Sequence, residues 1–280
     1  MLKKDLHDRT WFFDLEWVPD AAGARRLFDL PDETSDLEAM EEIWKQTGKT
    51  EANPRPFVKY LFSRIVSIAF LSRNVTYDGP DRKVAFKLYS LPALPVNGSM
   101  SDEGQIIEQF LYYIGERKPQ LVGFNSSESD VQVLIQRGLI NEVSAPMFCE
   151  RPKKKWEGDD YFERWDNEWH LDLMRLFSTG KMAPKLNDLA KLCGFPGKMD
   201  MAGDQVVDLW LRGDLRSIIE YNQIDTLNTY LVWLRVVYFC GKIKEEDYAA
   251  EQEAFRDFLE VESQKPNMAH IGRFLDKWEI

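Results

Sequence analysis

The sequence predicts an α/β protein: a mixed sheet in one domain, with strands toward the front and helices interleaved and trailing. Three patterns carry that expectation. Residues 11–17 (WFFDLEW) form an aromatic, β-prone run closed by Pro19. Residues 65–71 and 83–89 flank the turn Asp78-Gly79-Pro80-Asp81, as a hairpin would. After Asp214, apolar residues at Leu215, Ile218, Ile219, Ile224, Leu227, Leu231 and Leu234 keep to one helical face.

The remaining elements follow in order. Residues 20–60 break the strand pattern with an acidic stretch, a short helical period at Leu37, Met40 and Ile43, and then Pro54 and Pro56. They read as a surface insertion with some helix, a flap. Ser101 is expected to cap a helix with Asp102 and Glu103 in its first turn and Ile106, Ile107, Phe110, Leu111 and Ile114 on its apolar face. Residues 121–124 form a short buried strand that runs through polar 125–130 into a helix over about 130–137. Residues 145–167 look irregular, and 169–173 suit a short strand. Two modest helices, near 185–193 and 204–212, flank the turn at 194–198. An acidic amphipathic helix over about 245–260 belongs to a C-terminal helical extension at 241–280.

Composition narrows the classes. Of 280 residues, 44% are apolar and 30% charged, which excludes disordered, collagen-like and disulfide-scaffold chains. Cys149, Cys193 and Cys240 lack CxxC spacing and leave one over after any pairing, so buried reduced thiols are expected. Neither a signal-like apolar stretch in residues 1–9 nor a run of about 18 apolar residues occurs, so no membrane partner and a cytoplasmic location are expected. The net charge of −11 argues against tight, nonspecific binding to duplex DNA, which Lys and Arg drive. Only residues 151–200 hold a basic excess, including Arg151, Lys153, Lys154 and Lys155: a local strip beside an acidic site, or a solvated loop.

Acidic residues stand at three telling places. Asp14 and Glu16, two apart on a strand, project from one face, while Phe13, Leu15 and Trp17 point to the other and should be buried. Two carboxylates on an apolar strand need a shared proton or a cation. Asp130 stands where a strand gives way to a helix, the usual position of a site in an open α/β sheet. Asp225 lies four residues after Tyr221, on the same helix face. Four carboxylates from three elements can surround two Mg²⁺ or Mn²⁺ ions, which prefer hard oxygen ligands. Such a pair, about 3.5–4 Å apart, suits in-line phosphodiester cleavage. Each pattern alone has a bland reading, a solvated strand or a helix edge. Their order, spacing and element types agree only jointly.

Asp14-Leu15-Glu16, then Asn125 with Asp130, then Tyr221-Asn222-Gln223-Ile224-Asp225, resemble the three motifs of the DEDD exonuclease superfamily. The Tyr-x-x-x-Asp form resembles its tyrosine subclass; Glu220 stands where the histidine subclass has His. The chain looks most like stand-alone exonucleases related to the proofreading domain of family-B DNA polymerases. His170-Leu171-Asp172-Leu173-Met174, Gly194-Phe195-Pro196-Gly197-Lys198 and Asp225-Thr226-Leu227-Asn228-Thr229-Tyr230 extend the likeness over about residues 10–240. The resemblance implies a ribonuclease H-like fold with a mixed five-stranded sheet flanked by helices. It implies Asp14, Glu16, Asp130 and Asp225 as metal ligands, and Tyr221 as the group that orients or helps deprotonate the attacking water. Asn125 would position the scissile region or the Asp130 loop. One departure is clear: relatives commonly have Phe before the second-motif Asp and a Pro after it, where this chain has Ser129 and Gln132.

Other residues have two readings. Lys198 could touch a phosphate or face solvent on its turn; His170 is read as a strand-edge residue satisfied by a backbone carbonyl, and Asp172 as structural. Trp11, Phe12 and Trp17 could stack on bases, but core packing is the expectation for most of them. The leading function is a 3′→5′ exonuclease that uses two divalent cations, Mg²⁺ or Mn²⁺, to release nucleoside monophosphates from single-stranded ends, DNA favoured over RNA. The alternatives are an exoribonuclease similar to ribonuclease D and a nucleic-acid-binding protein with a decayed site. No partner protein is identifiable.

Overall fold

The computed structural model describes residues 2, 6–79, 81–96, 101–154, 158–163, 168–177, 182–199 and 203–278. Five strands form one sheet in the order β3-β2-β1-β4-β5. They are β1 (Arg9–Pro19), β2 (Ser63–Asp78), β3 (Asp81–Leu91), β4 (Gln120–Gly123) and β5 (His170–Asp172). The first three are antiparallel, and β4 and β5 run parallel to β1. This is the mixed five-stranded α/β sheet flanked by helices that the resemblance implied.

Alternation along β1 decides which side carries the acids. Trp11, Phe13 and Leu15 are buried on one face, among Ile107, Phe110, Ile114, Val133 and Leu134. Those residues come from α3 (Glu103–Arg117) and α4 (Asp130–Ile140), which follow α1 (Ala21–Leu27) and α2 (Asp36–Gln46) in the chain. Phe12 points the other way and meets Tyr230 and Trp233 edge-on, each at 5.0 Å between ring centroids. Asp14 and Glu16 share that second face by the same alternation. Trp11 and Phe12 are thus core residues, and Trp17 is only partly buried.

The helices beyond α4 are α5 (Pro146–Cys149), α6 (Leu173–Phe177), α7 (Leu186–Leu192), α8 (Val206–Leu211), α9 (Leu215–Phe239), α10 (Glu245–Ser263) and α11 (Ala269–Asp276). Several sequence expectations need correction. Asp102, not Ser101, caps α3, its Oδ1 accepting from Gln105 N at 3.1 Å. Leu37 is 44% exposed; Ala39, Met40, Ile43 and Trp44 form the buried face of α2. The 20–60 segment is anchored, because α1 and α2 share a cluster with Val18, Val66, Trp210, Leu215 and Ile219. None of the three cysteines is buried, although all are free.

The C-terminal helices are built into the core. Phe255 and Leu259 of α10, and Ile271 and Phe274 of α11, join the cluster that holds Phe12. Glu251 of α10 has no exposure and accepts from Arg73 at 2.5 and 2.9 Å, from Arg82, and from the Tyr230 hydroxyl at 3.2 Å. The sequence suggested α10 but not α11. Among the described residues, no helix is long and apolar enough to cross a membrane.

Candidate active site

The site opens where two parallel strands part. The β1–β4 ladder ends at Phe12↔Val122, and β4 itself stops at Gly123. A Cβ on Gly123 would come within 2.4 Å of the Ser126 side chain, so only glycine lets the next loop fold back this tightly. Asp172 holds that loop. Its Oδ1 accepts from the backbone N–H groups of Asn125 (2.9 Å) and Met174 (3.0 Å), and its Oδ2 from Ser127 (3.0 Å). Asn125 takes a left-handed turn there, at φ 64°. The loop delivers Asp130 to the head of α4, and the Leu15 N–H, beyond the last β1–β4 pair, donates to Asp130 Oδ1 at 3.1 Å.

Ser129, the residue before the second acid, ties the carboxylate to its loop. Its Oγ lies 2.6 Å from Asp130 Oδ2 and 2.7 Å from the Asn125 carbonyl. A hydroxyl therefore stands beside the carboxylate where the resemblance led one to expect a ring. Gln132 donates to the Ser127 carbonyl at 3.4 Å, a further tie across the loop.

Helix α9 brings the last acid across the sheet. Asp214 caps it by accepting from Ser217 N at 3.1 Å. The packing of Tyr230 and Trp233 on Phe12 fixes which face looks at β1. One turn and more toward the N-terminus, that face carries Asp225. One carboxylate oxygen each from Asp14, Glu16 and Asp225 lie within 4.8 Å of one another. Lys198 completes the group: its Nζ is 2.7 Å from Asp225 Oδ2, donates to the Tyr221 hydroxyl, and sits 4.8 Å from the centre of the Tyr221 ring.

The turn that presents Lys198 is clamped. Asn228 accepts from Gly197 N at 3.0 Å and donates to Gly197 O at 2.9 Å, while Asn187 accepts from Lys198 N at 2.9 Å. Gly197 adopts φ 68°, and a Cβ there would meet Asn187 Oδ1 at 2.8 Å.

Electrostatics follow from crowding. Burial, then the charges of Asp130, Glu16 and Asp225, push Asp14 well above its ordinary pKa, against the opposing pull of Lys198. Burial does the same to Glu16, with Asp225 adding to it. Burial raises Asp225 although Lys198 and Tyr221 oppose it, and it lifts Asp130 to about 6 against hydrogen bonds that favour the charged form. Burial and the neighbouring carboxylates also push the Tyr221 phenol far up, so it is a neutral donor at physiological pH.

Asp14, Glu16 and Asp225 are therefore brought together, with Tyr221 and Lys198 against them. Asp130 stands at the edge, Oδ1 taken by the Leu15 N–H and Oδ2 sharing the Ser129 hydroxyl with the Asn125 carbonyl, its charge felt by Asp14. Asn125 acts through its backbone on the Asp130 loop. The Nε2 of His170 lies 2.8 Å from the Ser126 hydroxyl, and burial drops its pKa to about 4. Arg151 is paired with Asp160 at 2.8 Å, and Lys155 lies outside the described residues. The sequence reading missed Asn228 and Asn187 as clamps. An Asn set within the apolar run of α9 was the available signal for Asn228, and nothing in the sequence marked Asn187.

The residues fit a divalent cation. Asp225 Oδ1 is sealed from solvent and has no hydrogen-bond partner, and two further carboxylates, raised by burial and by mutual repulsion, stand close to Asp225. Such an oxygen-only, anionic donor set suits Mg²⁺ or Mn²⁺.

Fold and site together define an α/β enzyme of the ribonuclease H-like exonuclease type. The model of one family, described as predicted 3′-5′ exonuclease related to the exonuclease domain of PolB, matches residues 55–278, and the chain belongs to that family. The match contains Asp130, Lys198, Tyr221 and Asp225 and starts after β1, so Asp14 and Glu16 precede it. No curated protein matches the chain.

Proposed function

We propose that this chain is a metal-dependent 3′→5′ exonuclease of the tyrosine subclass that releases nucleoside 5′-monophosphates from single-stranded DNA ends. The observation that carries the reading is the approach of one carboxylate oxygen each of Asp14, Glu16 and Asp225 to within 4.8 Å of one another. Asp14, Glu16 and Asp225 would hold the cations, with Asp130 as the neighbouring fourth acid. When bound, two divalent cations supply activation of a water and neutralisation of charge on the departing oxygen.

The chain's own residues do the rest. The water oxygen forms a bond to phosphorus, the P–O3′ bond breaks, and the shortened strand leaves with a protonated 3′ hydroxyl. Tyr221, neutral at working pH, orients the water by donating a hydrogen bond rather than accepting its proton. Lys198 stands where a phosphate oxygen can reach it. The net charge of −11 fits a protein that grips a strand only near its terminus.

DNA is favoured by the family's relation to a DNA polymerase domain. The RNA reading would need a contact to the 2′ hydroxyl. Matched 5′-labelled DNA and RNA oligonucleotides, incubated with Mn²⁺, separate the two: shortening from the 3′ end, faster on DNA, is expected. Faster shortening of RNA selects the exoribonuclease. No shortening of either selects a decayed binding protein and sinks the proposal.

A further inference from the structure

The tail of the 20–60 segment lays a line of aromatic rings against the edge of the site. Trp17, one residue beyond Glu16 and on the α4 side of β1, meets Tyr60 edge-on at 6.1 Å between ring centroids. Tyr60 in turn meets Phe57 edge-on at 5.5 Å. Trp17 and Tyr60 are half-buried, whereas Phe57 is 69% exposed, so the line runs outward. Its inner part lies beside the second acid: burial raises the pKa of the Tyr60 phenol, and the charges of Asp130 and then Glu128 raise it further. Tyr60 also lines a cavity of about 390 Å³, together with Ser127, Glu128, Gln132 and Phe162, next to the loop that presents Asp130.

Single exposed aromatic residues are ordinary on a protein surface. Three in contact, on a pinned backbone, are not. A single 3-10 turn (Tyr60–Phe62) carries Tyr60 into β2. The Phe62 N–H donates to Lys59 O at 2.8 Å, and Phe62 O accepts from Asp20 N at 2.7 Å. Arg137, itself gripped by Glu103 and Asp20, donates to Leu61 O at 3.4 Å. Rings held in advance lose little freedom when a flat ligand covers them. Lys59, exposed between Phe57 and Tyr60 in the chain, adds a positive charge for a backbone phosphate.

Resting on the hydrolytic reading above, we infer that Tyr60 and Phe57 form a base-stacking subsite for the retained part of the single strand, the nucleotides upstream of the scissile bond. The direction follows from the size of the products. The leaving group is one mononucleotide, and only the retained strand is long enough to follow rings that lead from beside Asp130 out to the surface. Stacking needs a π-face and no particular base, so the subsite grips any sequence. The segment that reads as a flap in the sequence is the platform over which the strand enters.

Fluorescence anisotropy of a 5′-labelled oligodeoxyadenylate about 12 nucleotides long tests this on the full chain, in EDTA so that the probe stays intact. Phe57→Ala and Tyr60→Ala should each weaken binding about tenfold, whereas Phe57→Trp and Tyr60→Phe should keep it. A strand with abasic residues upstream of its 3′-terminal nucleotide should bind the wild type about as weakly, and should no longer distinguish it from the alanine variants. Unchanged affinity in both alanine variants, an equal loss on intact and abasic strands, or no binding by the wild type would overturn the inference. Hydrolysis, read separately with Mn²⁺ on the wild-type chain, is untouched by those results. Ring-dependent binding without Mn²⁺-dependent shortening would keep the subsite and sink the hydrolytic reading. If Tyr60→Ala does not fold, Phe57→Ala, at an exposed position, decides alone.

Discussion

Glu251 and Asp225 are both acids with almost no exposure, 0% and 4%, and both reach the same face of the sheet from helices. Their surroundings treat the charge in opposite ways. Burial pushes Glu251 up, but the bonds and charges of Arg73 and then Arg82 outweigh it and hold its pKa below the ordinary carboxylate value. Asp225 has one lysine for a cluster of acids, and its pKa stays raised. Glu103 is likewise matched to a guanidinium: Arg137 grips it through two bonds of 2.8 and 2.6 Å and reaches Asp20 at 2.8 Å. A buried acid matched to guanidinium is scaffold. Buried acids left short of positive charge are a site that waits for a cation.

The comparison breaks most clearly by substitution on each side. Asp14→Asn should cut Mn²⁺-dependent cleavage by about a thousandfold or more, some 4 kcal/mol on the barrier. Its thermal midpoint should hold or rise, because one repelling charge is removed; a large drop would place Asp14 with the scaffold acids. Glu251→Gln should do the reverse. Leaving Arg73 buried without its partner should lower unfolding free energy by about 3–5 kcal/mol in urea titrations, with the specific activity of the folded fraction preserved.

The pH dependence sharpens the contrast. Protons held by the raised carboxyls stabilise the metal-free fold below the unfolded-chain values near 4, and that contribution is lost as pH rises through the folded values, about 6 for Asp130. Metal-free protein should therefore lose about 1–3 kcal/mol from this cluster between pH 5 and 8. Mn²⁺, which needs the ionised forms, should raise the thermal midpoint more at pH 8 than at pH 5.5. An equal or larger shift at pH 5.5 would contradict the account. The smallest effect belongs to Ser129→Ala. Loss of one hydrogen bond to Asp130 should slow cleavage about five- to tenfold, near 1 kcal/mol, in single-turnover measurements.

What could be read from the sequence was whatever depends on local period. Two-residue alternation put Asp14 and Glu16 on one face, and four-residue spacing put Tyr221 with Asp225. The sheet followed from aromatic and β-branched runs. What stayed hidden depends on long-range partners. The cap of α3 fell to Asp102 because Glu103 is drawn into the fold by Arg137. The sequence showed α10 as an acidic amphipathic helix, but not that Arg73 and Arg82, far away in the chain, neutralise its Glu251. The sequence left Lys198 open between a phosphate contact and a solvent-facing turn lysine, because its fixation needs Asn228, itself placed by the packing of α9. The Ser129 departure was legible as a difference, yet its hydrogen bond to Asp130 emerges only once the loop is folded by Asp172.

Crystals soaked in Mn²⁺ and measured at the manganese absorption edge address the central claim most directly. The account expects an anomalous peak bounded by Asp14, Glu16 and Asp225, and no peak at Glu251 or Glu103. An empty acid cluster at saturating Mn²⁺, or a peak only elsewhere on the molecule, would contradict it.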